Sequence, residues 1–434
     1  MDITTIGLLC IAAMFICMMM GVPIAFSLGF CGLLAGLLSL GGICLPKLGW
    51  TPFYFLYNLS WTPLPLFVLL GAVVSETDMG RDLFYAARCW LSRLPGGLAA
   101  AGIWGEAAIA SILGTSAATV ILVGKVAVPE FERYGYSRSL GLGALLAGGV
   151  LGPLIPPSAT MIVYAVLAEL SLGRLFMAGI IPGIILALML SVTVVLICTF
   201  KPKYGPAVAA GQVTWRERAS SIRKIWPVVL VMLAILGTIY MGIATPTEAA
   251  GVACVLTLLI AFFFFKLRWG GVRRAMIEAV VINSMIMFIL IGASFFTYMI
   301  GSANVADFLY TIVETVGLQP WQVIISINVI LLILGCLIDP MTIVMLTVPI
   351  FVPLIESLGF DPLWFGIIFV VNAQIGMITP PMGIDLFAIK TVFDIPTGDI
   401  LRGVTPFLIV ELFFLAVIII FPQLSLWLPS TMIT

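Results

Sequence analysis

The sequence predicts an all-α polytopic membrane protein made of two inverted repeats, each with a re-entrant helical hairpin and a helix broken at a Pro-Pro pair. Three observations carry this expectation. First, the 434-residue chain is 62% hydrophobic and only 9% charged, with a mean hydropathy of +1.23, whereas soluble domains carry about 25% charged residues. Second, its apolar runs are continuous and near membrane-spanning length, which excludes the alternating pattern of a β-barrel. Third, "GPLIPPS" (152–158) is echoed 224 residues later by "GMITPPM" (376–382). Paired prolines remove backbone donors and clash with the preceding turn, so each pair should interrupt its helix.

The elements follow in chain order. The first run, 4–20, has no basic flank and is followed by another apolar span, so it reads as an uncleaved helix, not a signal peptide. Segment 81–93, with Arg81, Asp82 and Arg88, has the pattern of an amphipathic interfacial helix and not of an anion site. Runs 97–113 and 120–128 flank the polar "ILGTSAATV" (112–120). Each is about half a spanning length or a little more, as a re-entrant hairpin near 97–133 requires. Glu106 and Glu169 each fit either an intramembrane acid or an interfacial one. After the first Pro-Pro pair and the run 183–200 comes a loop, 201–224, with Lys201, Lys203, Arg216, Arg218, Arg223 and Lys224 against the single acid Glu217. Lys266, Arg268, Arg273 and Arg274 form the next basic cluster. The positive-inside rule puts both clusters in the cytoplasm and sends "ATPTEAAG" (244–251) to the other face. Glu248 in that stretch reads as an acid complementing a helix N-terminus. In the second half, runs 323–337 and 343–352 flank "LIDPMTIV" (337–344), a second hairpin near 321–356.

At an offset of 224 the halves align without gaps over almost fifty residues. Val128-Pro129 falls on Val352-Pro353, Glu132 on Glu356, Gly135 on Gly359, Gly152 on Gly376, and Thr115 on Asp339. Duplicated halves with paired, interrupted helices point to a secondary transporter. A broken helix exposes carbonyls at one end and amides at the other, and these can ligate Na⁺ and face a carboxylate. The expected ion ligands are Gly114, Thr115 and Ser116 with Gly148, Gly152 and Pro156, and Asp339 with Gly376, Thr379 and Pro380. Unwound backbone should supply most of these ligands, with no cofactor besides Na⁺ as the coupling ion. Thr119, beside the first tip, is a further candidate for a ligand-site role.

Composition also excludes. Net charge is zero, which removes the electrostatic case for nucleic acid. The chain has no His, and its eight cysteines show no ligand spacing. HExxH, GxSxG and GxxxxGK[ST] are all missing, so neither an enzyme nor a nucleotide-driven pump is expected.

Several blocks carry a family likeness: "GVPIAFSLG" (21–29), "PLFVLLG" (65–71), "LPGGLA" (94–99), "GTSAAT" (114–119) and "GLGALLAGGVLGPLIPPS" (141–158). So do "ATPTEAAGVA" (244–253), "DPLWFGIIFVVNAQIGMITPPMG" (361–383), "GVTPF" (403–407) and "FPQLSLWLP" (421–429). In this order and spacing the chain resembles the large membrane subunit, DctM type, of tripartite ATP-independent periplasmic (TRAP) transporters. The resemblance implies Na⁺-coupled import of a small organic anion, a carboxylate, by an elevator mechanism. It implies scaffold helices over 1–61 and 171–275, and halves of a transport domain over 62–170 and 276–434. The implied partners are a small four-helix membrane subunit and a periplasmic substrate-binding protein, in the lipid of a bacterial or archaeal cytoplasmic (inner) membrane. Gly114, Thr115 and Ser116 match the family's first hairpin, with Leu113 replacing a serine. Asp339 matches the second, with Pro340 replacing a glycine. Asn372 and Thr379-Pro380-Pro381 are kept, while Asp385 stands where the family commonly has Asn. Asn372 and Asp385, with Thr119, are the expected substrate contacts. The alternative is a stand-alone ion-coupled carrier that needs no binding protein. No Arg stands beside either tip, so a carboxylate must rely on helix N-termini, hydroxyls, amides or a more distant base.

Overall fold

The structure, a computed structural model, describes residues 3–433 apart from 115, 207–212, 381–382 and 394–395. The described chain is helical throughout. Helices α1 (Ile3–Met19), α2 (Ile24–Leu40) and α3 (Cys44–Leu56) precede α4 (Pro63–Ser75) and the amphipathic α5 (Met79–Leu91). As expected of an interfacial helix, α5 buries Met79, Leu83, Phe84 and Cys89 and leaves Arg81 exposed. The first broken pair is α6 (Gly97–Leu113) and α7 (Ser116–Arg133). The Pro-Pro region then splits one helix into α8 (Arg138–Gly149), the single turn α9 (Leu151–Leu154) and α10 (Ala159–Leu167). The Pro156–Pro157 peptide is cis.

The long α11 (Leu172–Phe200) leads to the basic segment and α12 (Trp215–Met232), which continues through a π-helical turn into α13 (Thr238–Tyr240). Then come α14 (Pro246–Phe263), α15 (Trp269–Ser302) and α16 (Val305–Val316). The second broken pair is α17 (Pro320–Gly335) and α18 (Pro340–Ser357), followed by α19 (Pro362–Met377), α20 (Ile384–Phe393), α21 (Thr397–Ile420) and α22 (Gln423–Ser430). Among the described residues, eight helices are long and apolar enough to cross a membrane, or up to nine if one bent pair counts as a single span.

The local signals behave as the physics requires. Glu248 closes a capping box at the start of α14: its Oε2 accepts from Thr245 N at 2.8 Å, and Thr245 Oγ1 accepts from Glu248 N at 3.3 Å. Small residues let long helices touch. A Cβ on Gly292 of α15 would lie 2.2 Å from the Ala25 carbonyl oxygen of α2.

Two expectations need correction. The second arm of each hairpin is longer than its apolar run: α7 and α18 have 18 residues each, whereas α6 (17 residues) matches the run 97–113 and α17 (16 residues) is close to the run 323–337. The expected lengths followed apolar runs, but α7 continues as helix past Val128 through Glu130 to Arg133, and Glu130 pairs with Arg88 of α5. Arg218 is also not a free cation of the basic loop. It is buried, and its Nε donates to the Cys89 carbonyl at 3.1 Å, tying α12 to α5.

Candidate functional site

The two ends of α11 mark opposite faces of the bundle, since 29 residues of helix span about 43 Å. At the Phe200 end, Gly96 N donates to Gly205 O at 3.1 Å and Ser137 N donates to Tyr204 O at 2.8 Å. Both ends of the α6–α7 pair therefore lie on the face carrying the basic segment. The ends of the α17–α18 pair lie together as well, with Trp321 5.1 Å from Phe360 and 6.2 Å from Trp364, ring centroid to centroid. Tyr164 of α10 donates to the Pro362 carbonyl at 2.8 Å, just beyond that pair. Because α10 leads into the Leu172 end of α11, this pair opens toward the opposite face.

Both tips line one cavity of about 490 Å³. Leu113 and Gly114 come from the first tip, Met341 from the second, and Pro157 and Ala159 from the first Pro-Pro break. Residues of α4 and α15 close the other side. Gly114 adopts φ +66°, and a Cβ there would lie 3.0 Å from the Pro157 carbonyl oxygen and 3.4 Å from Ala159 N. The first tip thus rests on the first break, as expected.

The predicted ion residues divide into two groups. In the first, Ser116 Oγ donates to Asp385 Oδ2, joining the N-terminus of α7 to α20 across 269 residues. Adjacent glycines of α8 make the space. A Cβ on Gly149 would lie 2.8 Å from Ser116 Oγ, and one on Gly148 would lie 2.9 Å from Glu106 Cγ. Gly152 and Pro156 are buried close by in sequence. Glu106 and Asp385 are fully buried, and Glu106 Oε1 and Oε2 and Asp385 Oδ1 have no hydrogen-bond partner among the described residues. Buried carboxylate oxygens without donors suit a cation, since a buried charge must be paired or coordinated. Thr115 lies outside the described residues.

In the second group, Asp339 is the N-cap of α18. Its Oδ2 accepts from Thr342 N at 3.1 Å and its Oδ1 from Thr342 Oγ1 at 2.5 Å. Gly376 packs backbone to backbone on Gly335, just before the second tip. Thr379 is half-buried and donates its hydroxyl to Ile375 O at 2.6 Å, and Pro380 is exposed, unlike buried Pro156.

The expected substrate residues Thr119, Asn372 and Asp385 are all fully buried, and none is among the described residues lining the tip cavity. Asn372 Nδ2 donates to Asn328 O at 3.0 Å and to Asn328 Oδ1 at 2.7 Å. Glu106 is fully buried within α6, whereas Glu169 is exposed. Sequence reasoning passed over Asn328, Gln374 and Glu411, all buried. For Glu411 a signal existed, a lone acid within "FLIVELFFLA".

A helical bundle with two broken helix pairs, opening to opposite faces and meeting at one cavity, defines a secondary-transport membrane protein. Residues 11–424 match the family described as "Tripartite ATP-independent periplasmic transporter, DctM component", and the chain belongs to that family. It is 37% identical over 368 residues, 85% of each chain, to the C4-dicarboxylate TRAP transporter large permease protein DctM of Pseudomonas aeruginosa. It is 29% identical over 374 residues to the sialic acid TRAP transporter large permease protein SiaM of Vibrio cholerae, covering 86% of this chain and 87% of that one. Among solved structures, the YdaH transporter of Alcanivorax borkumensis aligns over 89% of both chains with TM-score 0.59 at 14% identity, a likeness of fold alone. The family resemblance read from the sequence is borne out, and both of these relatives are named as TRAP transporter large permease proteins.

Proposed function

We propose that this chain is the large membrane subunit of a Na⁺-coupled importer of a small organic anion, working by an elevator mechanism. One observation carries the reading: both helix-pair tips line the same cavity while their open ends lie at opposite faces of the bundle. That arrangement supports inverted repeats around a central site that is presented alternately to each side. Segments 62–170 and 276–434 form the moving domain, and 1–61 with 171–275 the scaffold. Na⁺ is held at the first tip by Ser116, the oxygens of Asp385 and the backbone near Gly114, Gly148, Gly152 and Pro156, with Glu106 adding a second carboxylate. A second Na⁺ is held between Asp339 and the Gly376–Pro380 break. Thr115 belongs to the first group by sequence, and Thr119 and Asn372 stiffen the walls around the substrate.

The P. aeruginosa relative is named for C4-dicarboxylates, which favours a carboxylate as cargo here. A small membrane subunit and a periplasmic binding protein complete the assembly, in a bacterial inner membrane. Membership of the family weighs against a stand-alone carrier. The test is uptake of a radiolabelled C4-dicarboxylate into proteoliposomes holding both membrane subunits, with the binding protein outside. Uptake should require an inward Na⁺ gradient. Uptake that ignores Na⁺ and follows a proton gradient instead would overturn the coupling.

A further inference from the structure

The sequence offered no base beside either tip for a carboxylate to meet. The structure supplies one farther down the first hairpin. Lys125 of α7 lies nine residues beyond Ser116, roughly 14 Å along the helix. It lines the tip cavity and also a second cavity of about 490 Å³ bounded by Arg81, Tyr85, Arg88 and Glu130. That second cavity lies beside α12, where Lys224 pairs with Asp82 at 3.4 Å and sits 4.7 Å from the Tyr85 ring centroid. It therefore lies toward the face of the basic segment.

The charges there do not cancel. Glu130 takes Arg88 as its partner and has Arg133 at 3.7 Å. Lys125 and Arg81 form no ion pair within 4.0 Å among the described residues. Three cations, Arg81, Arg88 and Lys125, thus face one acid across this cavity. In the tip cavity, Glu278 of α15 stands as the acid of the opposite wall and does not pair with Lys125, so its repulsion sets an anion on the α7 side. An ammonium on a flexible four-carbon stem, unpaired and bordering two cavities, can hold an anion in either.

Resting on the transport reading above, we propose that Lys125 is the counter-charge for the substrate carboxylate on its way out. The anion leaves the tips, pairs with Lys125, and passes to Arg81 in a cytoplasmic release site. This site takes a small organic anion and is separate from the ion groups.

The test uses the complete assembly in proteoliposomes, with a C4-dicarboxylate as probe. In Lys125→Gln the internal dicarboxylate concentration for half-maximal efflux should rise about tenfold, the scale of one lost charge-assisted contact. Lys125→Arg should restore it, and the Na⁺ concentration for half-maximal uptake should stay within about twofold. Independently, Lys125→Cys in a background without the eight native cysteines should react with a thiol reagent applied from the basic-segment face. Internal dicarboxylate should slow that reaction. Wild-type efflux in Lys125→Gln, or labelling that dicarboxylate leaves unchanged, overturns the proposal. Loss of Na⁺ dependence in the wild type would instead overturn the transport reading, while the labelling experiment would still judge Lys125.

Discussion

Gly376→Ala tests whether the second break and the second tip act as one unit. A Cβ at Gly376 would lie 2.4 Å from both Cα and the carbonyl carbon of Gly335, and 2.8 Å from its oxygen. Ordinary carbon contacts sit near 3.5–4.0 Å, so α17 and α19 must part by about 1 Å. The obstacle is backbone on both sides, and no rotamer can relieve it. Overpacking a buried site costs about 1–3 kcal/mol, and a clash with backbone belongs at the upper end. Gly335 directly precedes the turn that leads to Asp339, so the displacement reaches the proposed ion site. The purified protein should melt several degrees lower, and the Na⁺ concentration for half-maximal uptake should rise several-fold. Gly251 of α14 is the control, because a Cβ there meets nothing within 4 Å. Gly251→Ala should leave uptake alone and gain up to about 1 kcal/mol from helix propensity. If Gly376→Ala matched the wild type in melting and Na⁺ dependence, the close approach of the two helices would be refuted.

Further outcomes can be checked with the same preparations. Ser116→Ala removes the donor to Asp385 Oδ2, leaving that buried carboxylate unsatisfied, and should cost about 1–3 kcal/mol while weakening Na⁺ dependence. For topology, Arg216→Cys and Thr247→Cys in a cysteine-free background should be labelled by an impermeant reagent from inside and outside respectively; Arg218 is unsuitable because it is buried. Labelling in the reverse sense would invert the assigned orientation. Arg274 lies against Glu76, with Nε 3.0 Å from Oε1, and holds its carboxyl below the ordinary range. A depressed carboxylate contributes stability above its unfolded pKa, and that contribution is lost as pH falls through the folded pKa. Acidification should therefore lower the wild-type melting temperature more than that of Arg274→Gln, and equal slopes would remove the pair from the explanation.

The sequence by itself determined the membrane class, the positions of the four interruptions and the family. Each of these rests on local chemistry. Continuous apolar runs fix spans, paired prolines and "GTS" or "IDP" mark breaks near Gly114 and Asp339, and Thr245 with Glu248 marks a helix start. The length of the second arm was less legible, because its apolar run stops at Val128 whereas the α7 backbone does not stop until Arg133. Only the tertiary structure decided which distant residues meet. Offset symmetry suggested that each tip pairs with the break in its own half, and Gly114 on Pro157 follows that rule. Ser116 instead reaches Asp385 from the other half, and Glu106 joins it because two glycines of α8 leave room. A hydrogen bond spanning 269 residues leaves no trace in spacing or periodicity. It depends on how α20 turns back after the second break, and long-range packing alone sets that.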